Sequence, residues 1–321
     1  MTDGFGRTVD YMRISITDRC NLRCSYCMPK EPCWLPKEEL LKREEILEIC
    51  RCGEKLGIRK IKVTGGEPLM RGDCAELIRE IKSLPGIEKV TLTTNGVLLA
   101  KKAQELYEAG IDGVNVSLDT LDRNTYQEMT GFDRLSQVLE GLEVMGNLPV
   151  PLKTNTVLMP GVNEEAWKEL ALLAKKQSID VRFIEKMPLG EEKGAEGISN
   201  LRLLEDMQKL FGKAAKDSRV HGNGPAVYYR FPGFQGSIGF ISAIHGKFCA
   251  DCNRLRLTAE GLVKPCLCYQ DSISLKEAVR EENREEIGKL LKKAIEEKPL
   301  SHCFEHTEQV TEQRDMWKIG G

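Results

Sequence analysis

The chain has 321 residues, 41% hydrophobic and 30% charged, enough for one large core or for a barrel-sized domain with a smaller companion. No apolar run approaches the ~20 residues of a membrane helix, and a formal charge of -2 with 6% aromatic residues gives no global attraction to nucleic acid or to a membrane surface. Any polyanion must therefore be held by a local basic cluster. The 12 cysteines, with no apolar secretory segment at the start, do not resemble a small disulfide scaffold. They point to a reducing, cytoplasmic setting.

In chain order, the first β-rich run is Tyr11 to Thr17, and CNLRCSYCMP follows it closely. Cys20, Cys24 and Cys27 thus stand in C-x3-C-x2-C spacing. A four-iron cluster normally takes four thiolates, so three close cysteines without a fourth leave one iron for a small-molecule ligand. Structural zinc sites close with four protein ligands, usually two separated pairs, and fit this run less well.

Further β-rich runs are expected at Lys60 to Thr64, Lys89 to Thr94, Gly113 to Leu118, Leu152 to Leu158 and Asp180 to Ile184. Between them, Lys37 to Leu56, Cys74 to Ser83, Ala100 to Ala109, Leu135 to Met145 and Glu164 to Gln177 carry apolar residues at three- and four-residue steps, as helices covering a sheet would. The alternation predicts a parallel α/β organisation. Six units fall short of the eight in a closed barrel, so a partial (β/α)6 barrel of TIM type is expected, active at the strand C-terminal ends. The cysteine triad, Gly65-Gly66-Glu67-Pro68, Thr93 to Gly96, Ser117 to Asp119 and Glu185 to Pro188 all follow such ends and should meet at one mouth.

The polar, Gly-rich stretch Gly190 to Gly197 reads as a connector, dividing the chain into 1–195 and 196–321. Beyond it, Leu201 to Phe211 and Leu275 to Glu297 read as helices, and Val227 to Phe231 and Ser237 to Ile244 as strands, a smaller α+β region. Cys249, Cys252 and Cys266 form C-x2-C-x13-C, with Cys268 close behind. That spacing alone is compatible with a zinc ribbon. The first triad tips the balance toward a second iron-sulfur cluster, and the role of Cys268 stays open.

Gly65-Gly66-Glu67-Pro68 is compatible with an ordinary strand-to-helix turn, but the glycines also admit a ligand to the backbone and Glu67 is able to accept from an ammonium group. Arg13, Lys62, Lys153, Arg182, Arg254 and Arg256 lie at alternate positions within or beside strands and are expected to share the barrel interior, where they would suit a triphosphate. Cys33, Cys50, Cys52, Cys74 and Cys303 show no ligand-like grouping, and packing is their default. His302, Cys303 and His306 at the far end more often form an unoccupied cluster than a metal site.

Taken together, these motifs resemble the radical S-adenosylmethionine (SAM) superfamily. The stretches GRTVDYMRISITDRCNLRCSYCMP, KVTGGEPLMR, LTTNGVLL, NVSLDTLD, KTNTVLMPGVN, FIEKMP and FCADCNRLRLTAEG, with the final IGG, resemble within it the molybdenum cofactor biosynthesis protein A family of GTP 3',8-cyclases, essentially end to end. The resemblance implies two [4Fe-4S] clusters, one on Cys20, Cys24 and Cys27 that binds and reductively cleaves SAM, the other on Cys249, Cys252 and Cys266 that holds the purine of GTP. The 5'-deoxyadenosyl radical would take the ribose 3' hydrogen, and the sugar radical would attack C8 of guanine.

By the same resemblance, Tyr26, Gly65, Gly66, Glu67, Ser117 and Met187 orient SAM. Arg13, Lys62, Thr93, Lys153, Arg182, Arg254 and Arg256 bind GTP, and Gly320 and Gly321 thread into the pocket. Lys62 stands where the family generally has arginine, keeping charge but losing the fork. Cys268 stands where the family usually has an aromatic residue. Implied partners are an electron donor of flavodoxin or ferredoxin type and a downstream cyclic pyranopterin monophosphate synthase, with a homodimer left open and neither nucleic acid nor membrane. The competing readings are a peptide-modifying radical enzyme with an auxiliary cluster and a non-catalytic zinc scaffold.

Overall fold

The computed structural model describes residues 1–189 and 197–320. Six strands, β1 (Tyr11–Ser15), β2 (Lys60–Thr64), β3 (Lys89–Thr94), β4 (Val114–Ser117), β5 (Leu152–Val157) and β6 (Asp180–Ile184), pair in sequence order, each parallel to the next. Helices α1 (Arg43–Lys55), α2 (Cys74–Lys82), α3 (Leu99–Glu108), α4 (Arg123–Thr130), α5 (Leu135–Gly146) and α6 (Trp167–Lys176) alternate with them. One side of each of β1 to β4 is sealed and largely apolar. Met12, Ile14, Ile61, Val63, Val90, Leu92, Val114 and Val116 have no exposed surface, and each fully buried aliphatic chain of this size contributes about 1.5–3 kcal/mol. Because side chains alternate across a strand, Arg13, Lys62, Thr91 and Asn115 must face the other way, into the barrel.

After α7 (Asn200–Phe211) the chain adds β7 (Ala215–Lys216), β8 (Val227–Arg230), β9 (Ile238–Ile241), β10 (Arg254–Leu257), β11 (Leu262–Lys264) and β12 (Ile273–Ser274). These strands join the barrel sheet on both sides. β9 pairs parallel with β6 and β10 pairs parallel with β1, giving the order β12-β11-β10-β1-β2-β3-β4-β5-β6-β9-β8-β7. The sheet stays open, with β12 and β7 at its edges. Helices α8 (Lys276–Arg280), α9 (Arg284–Glu296) and α10 (Met316–Ile319) complete the fold. The division expected between 195 and 196 lies outside the described residues. Among the described residues no helix is long and apolar enough to cross a membrane.

The sequence expectations differ from the structure where capping overrides apolar spacing. Lys37 to Leu56 is not one helix: a short 3-10 turn at Lys37–Glu39 is followed by extended chain, and α1 starts only where Glu45 accepts from the Lys42 backbone N–H at 2.7 Å. Leu275 to Glu297 breaks at Glu282, whose φ is +53°, because the Asn283 side chain caps α9 by accepting from the Glu286 N–H. Helix α4 lacked a long apolar stripe but has both its punctuation marks. Asp122 accepts from the Thr125 N–H, and Gly131 closes the helix at φ +77°.

Candidate active site

Strand register builds the basic cluster. Arg256 on β10 stands opposite Arg13 on β1, which stands opposite Lys62 on β2, which stands opposite Thr91 on β3. Lys153 and Arg182 come from β5 and β6, and Gly239 on β9 makes room for the latter: a Cβ there would lie 2.9 Å from the Arg182 Cγ. All six expected basic residues line one cavity of about 280 Å³, together with Thr93, Met187 and the trio Cys249, Cys252 and Cys266.

Among the described residues that line this cavity, Asp112 is the only carboxylate, and Lys82 already holds it at 2.6 Å. The cations are therefore under-compensated. Burial, with Arg182, Arg13 and Lys153 nearby, holds the Lys62 ammonium well below the usual lysine range. Burial and Arg182 bring Lys153 down to about 8, despite an ion pair to Asp180 at 3.3 Å. Burial also lowers Arg13 and Arg256. A polyanion would relieve all of these costs at once.

The first cysteine trio sits in the loop after β1, docked onto the glycine turn after β2. The Gly66 N–H donates to the Thr17 carbonyl and the Glu67 N–H to the Arg19 carbonyl, both at 2.7 Å. A Cβ on Gly66 would come within 2.5 Å of the Asp18 and Arg19 carbonyl oxygens. The glycines are thus required by the approach of the cysteine loop itself. Glu67 is fully buried and accepts from Asn95 N–H and Thr94 Oγ1 at 2.7 Å and from Leu69 N–H at 3.0 Å, so it is a strut between strand ends. Burial still pushes its carboxyl up to about 7.

Around the trio, Asn95 Nδ2 approaches Cys20 Sγ at 3.8 Å, and Tyr26 donates its hydroxyl to Asp119 at 2.7 Å. Burial raises the thiols of Cys20 and Cys24 and takes Cys27 to about 12; Glu67 adds to the shift of Cys20, and the neighbouring sulfurs add to those of Cys24 and Cys27. Positive charge carried by iron would reverse that penalty. Ser117 is half-buried at the C-terminal end of β4.

The second trio gathers at the other end of the chain. Cys249 and Cys252 share a turn closed by a Cys252 N–H to Cys249 carbonyl bond at 3.1 Å, and Cys266 follows β11. Lys298 Nζ lies 3.7 Å from Cys252 Sγ while donating to the carbonyls of Arg254 and Pro265, and the His302 N–H reaches Cys249 Sγ at 3.4 Å. Burial alone would raise Cys252, yet Arg254 and Lys298 bring it to about 7. Cys268 instead faces Cys303, sulfur to sulfur at 3.2 Å. Three thiols in each set, met by N–H groups and by the Lys298 cation, are the donor chemistry that a cubane takes.

The tail reaches the same place. Gly320 has φ +76°, its carbonyl accepts from Arg256 Nη1 at 2.8 Å, and a Cβ there would come within 2.9 Å of Thr64 Oγ1. Gly321 lies outside the described residues. Asn95 and Asp119 belong to the strand-end stretches expected at the mouth, without a part of their own there; Lys298 carries no such signal, because its partners are 46 and 33 residues away in sequence.

A radical SAM superfamily model matches residues 14–174, and a Molybdenum Cofactor Synthesis C model matches residues 179–304. Among curated proteins, the chain is 42% identical to GTP 3',8-cyclase of Clostridium perfringens (strain SM101 / Type A) over 323 residues and 42% identical to that of Desulforamulus reducens over 327, covering 100% of each chain in both cases. In solved structures it is similar to Streptococcus suis SuiB, with a TM-score of 0.65 at 16% identity, covering 87% of this chain and 65% of that one. It is also similar to native anSMEcpe with bound AdoMet, with a TM-score of 0.53 at 17% identity, covering 89% and 84%. At such identities the structures speak for the fold alone. By family models and curated relatives, this chain belongs to the radical SAM superfamily and, within it, to the GTP 3',8-cyclase family.

Proposed function

We propose that the chain converts GTP to (8S)-3',8-cyclo-7,8-dihydroguanosine 5'-triphosphate, the first step of molybdenum cofactor synthesis. The observation that carries this reading is one cavity lined by seven lysine and arginine side chains, the six expected ones and Lys89, and by a cysteine trio, with a single, already engaged carboxylate among its described lining residues. Triphosphate charge matches the first set and a purine ligated to iron matches the second.

When bound, SAM and the two [4Fe-4S] clusters supply a one-electron cleavage and an open iron for each small molecule. The chain supplies placement and charge. Arg13, Lys62, Lys153, Arg182, Arg254 and Arg256 hold the triphosphate, the arginines by their forks and the lysines as point charges, and Thr93 adds a hydroxyl. Cys20, Cys24 and Cys27 hold one cluster and Cys249, Cys252 and Cys266 the other. Tyr26, Gly65, Gly66, Ser117 and Met187 shape the SAM side, and Glu67 acts there by fixing Thr94 and Asn95. Ile184, Ile241, Phe248 and Phe304 give the cavity apolar walls that keep solvent from a reactive radical. The Gly320 carbonyl engages Arg256. A flavodoxin- or ferredoxin-type electron donor, transfer of product to cyclic pyranopterin monophosphate synthase, and a homodimer belong to the same proposal.

Anaerobic incubation of the reconstituted protein with GTP, SAM and a strong reductant tests the reading. GTP should disappear as 5'-deoxyadenosine forms one for one, leaving a cyclised nucleotide of unchanged mass. Continued 5'-deoxyadenosine release with intact GTP would overturn it.

A further inference from the structure

Neither cysteine trio accounts for Cys268 and Cys303. Cys268 has no exposed surface and Cys303 is 7% exposed, and their Sγ atoms lie 3.2 Å apart. The Cys303 N–H also points to the Cys268 sulfur at 3.4 Å, so that sulfur is directed at Cys303 from both ends of the contact. Leu189, Leu267, Phe304 and Val310 enclose the pair in an apolar cluster of its own, separate from the main core.

The segments that meet here also build the second trio. Cys266 lies two residues before Cys268, and His302, next to Cys303, sends its N–H to Cys249 Sγ. The Cys268 carbonyl in turn accepts from the Glu312 N–H at 3.1 Å, where the C-terminal tail begins its run toward the cavity. A covalent link between these sulfurs would tie together both walls of the trio and the root of the tail.

We propose that Cys268 and Cys303 form a dithiol pair that closes reversibly to a disulfide beside the second trio, and that Cys268 is not a fourth ligand there. The second half rests on the reading of Cys249, Cys252 and Cys266 as a cluster site; the first half does not. Closure requires the sulfurs to move from 3.2 Å to about 2.05 Å. Two S–H bonds break and one S–S bond forms. The two electrons and two protons pass to a two-electron acceptor: a small disulfide, which opens to two thiols, or the N=N bond of diamide, which becomes a hydrazine. Dithiothreitol returns them.

The test treats anaerobically reconstituted holoenzyme with diamide, alkylates the remaining thiols and maps the peptides. A linked Cys268 to Cys303 peptide is expected, cleaved by dithiothreitol and absent from Cys268→Ser and Cys303→Ser. Iron per chain should be the same in both variants as in the parent. Recovery of Cys268 and Cys303 as separately alkylated thiols, once the oxidised protein is denatured before alkylation, would overturn the pairing. Loss of iron in Cys268→Ser with full iron in Cys303→Ser would give Cys268 to the cluster instead. Should the parent hold no iron at the second trio, the cluster reading fails on its own, because the peptide map is read independently.

Discussion

Lys153 stands close to losing its charge. Its ammonium, ordinarily near 10.5, is held to about 8 by burial and Arg182, so the free enzyme keeps this cation below that pH and gives it up above. GTP binding should therefore weaken by roughly 3- to 10-fold as pH rises from 7 to 9, corresponding to about 0.7–1.4 kcal/mol. Lys153→Arg, charged throughout, should flatten that slope; equilibrium dialysis of anaerobic holoenzyme against GTP would measure it. Arg256 makes a different prediction, because it also holds the Gly320 carbonyl. Replacing Arg254 and Arg256 together by Ala should weaken GTP binding by at least about 100-fold, at 1.5–3 kcal/mol per charged hydrogen bond, while uncoupled SAM cleavage continues. Unchanged GTP affinity would remove both from the triphosphate site. The cysteines were legible at this scale because ligand spacing is local. Lys298 was not, because its meaning comes from sulfurs and carbonyls brought to it by folding.

At the scale of elements, the glycine turn after β2 and the cysteine loop after β1 are one device. Gly66 has no room for a methyl group between the backbone oxygens of Asp18 and Arg19, and backbone cannot yield as a flexible side chain does. Gly66→Ala should therefore displace the loop carrying Cys20, Cys24 and Cys27 and reduce iron from about eight to about four per chain, with the second trio still loaded. Full iron content with unaltered SAM cleavage would refute the docking role. The six barrel strands could be read in the sequence because each is a β-rich run next to an amphipathic helix. The parallel pairing of β10 with β1 could not: Arg254 to Leu257 is short, two of its four residues are arginines, and its partner lies some 240 residues earlier. That pairing is nevertheless what sets Arg256 beside Arg13.

For the whole molecule, net charge proved a poor guide to the site. A chain of formal charge -2 encloses a cavity with seven lysine and arginine cations and one engaged carboxylate among its described lining residues, a segregation that composition cannot display. What the sequence did display was alternation within strands, from which an inward-facing basic set follows once the apolar faces are known to be sealed. The central claim is that this cavity brings the ribose of GTP against SAM held at the opposite trio. It is tested most directly by running the anaerobic reaction with GTP deuterated at the ribose 3' carbon. Deuterium should appear in 5'-deoxyadenosine as the cyclised nucleotide forms, whereas unlabelled 5'-deoxyadenosine accompanying GTP consumption would contradict the account.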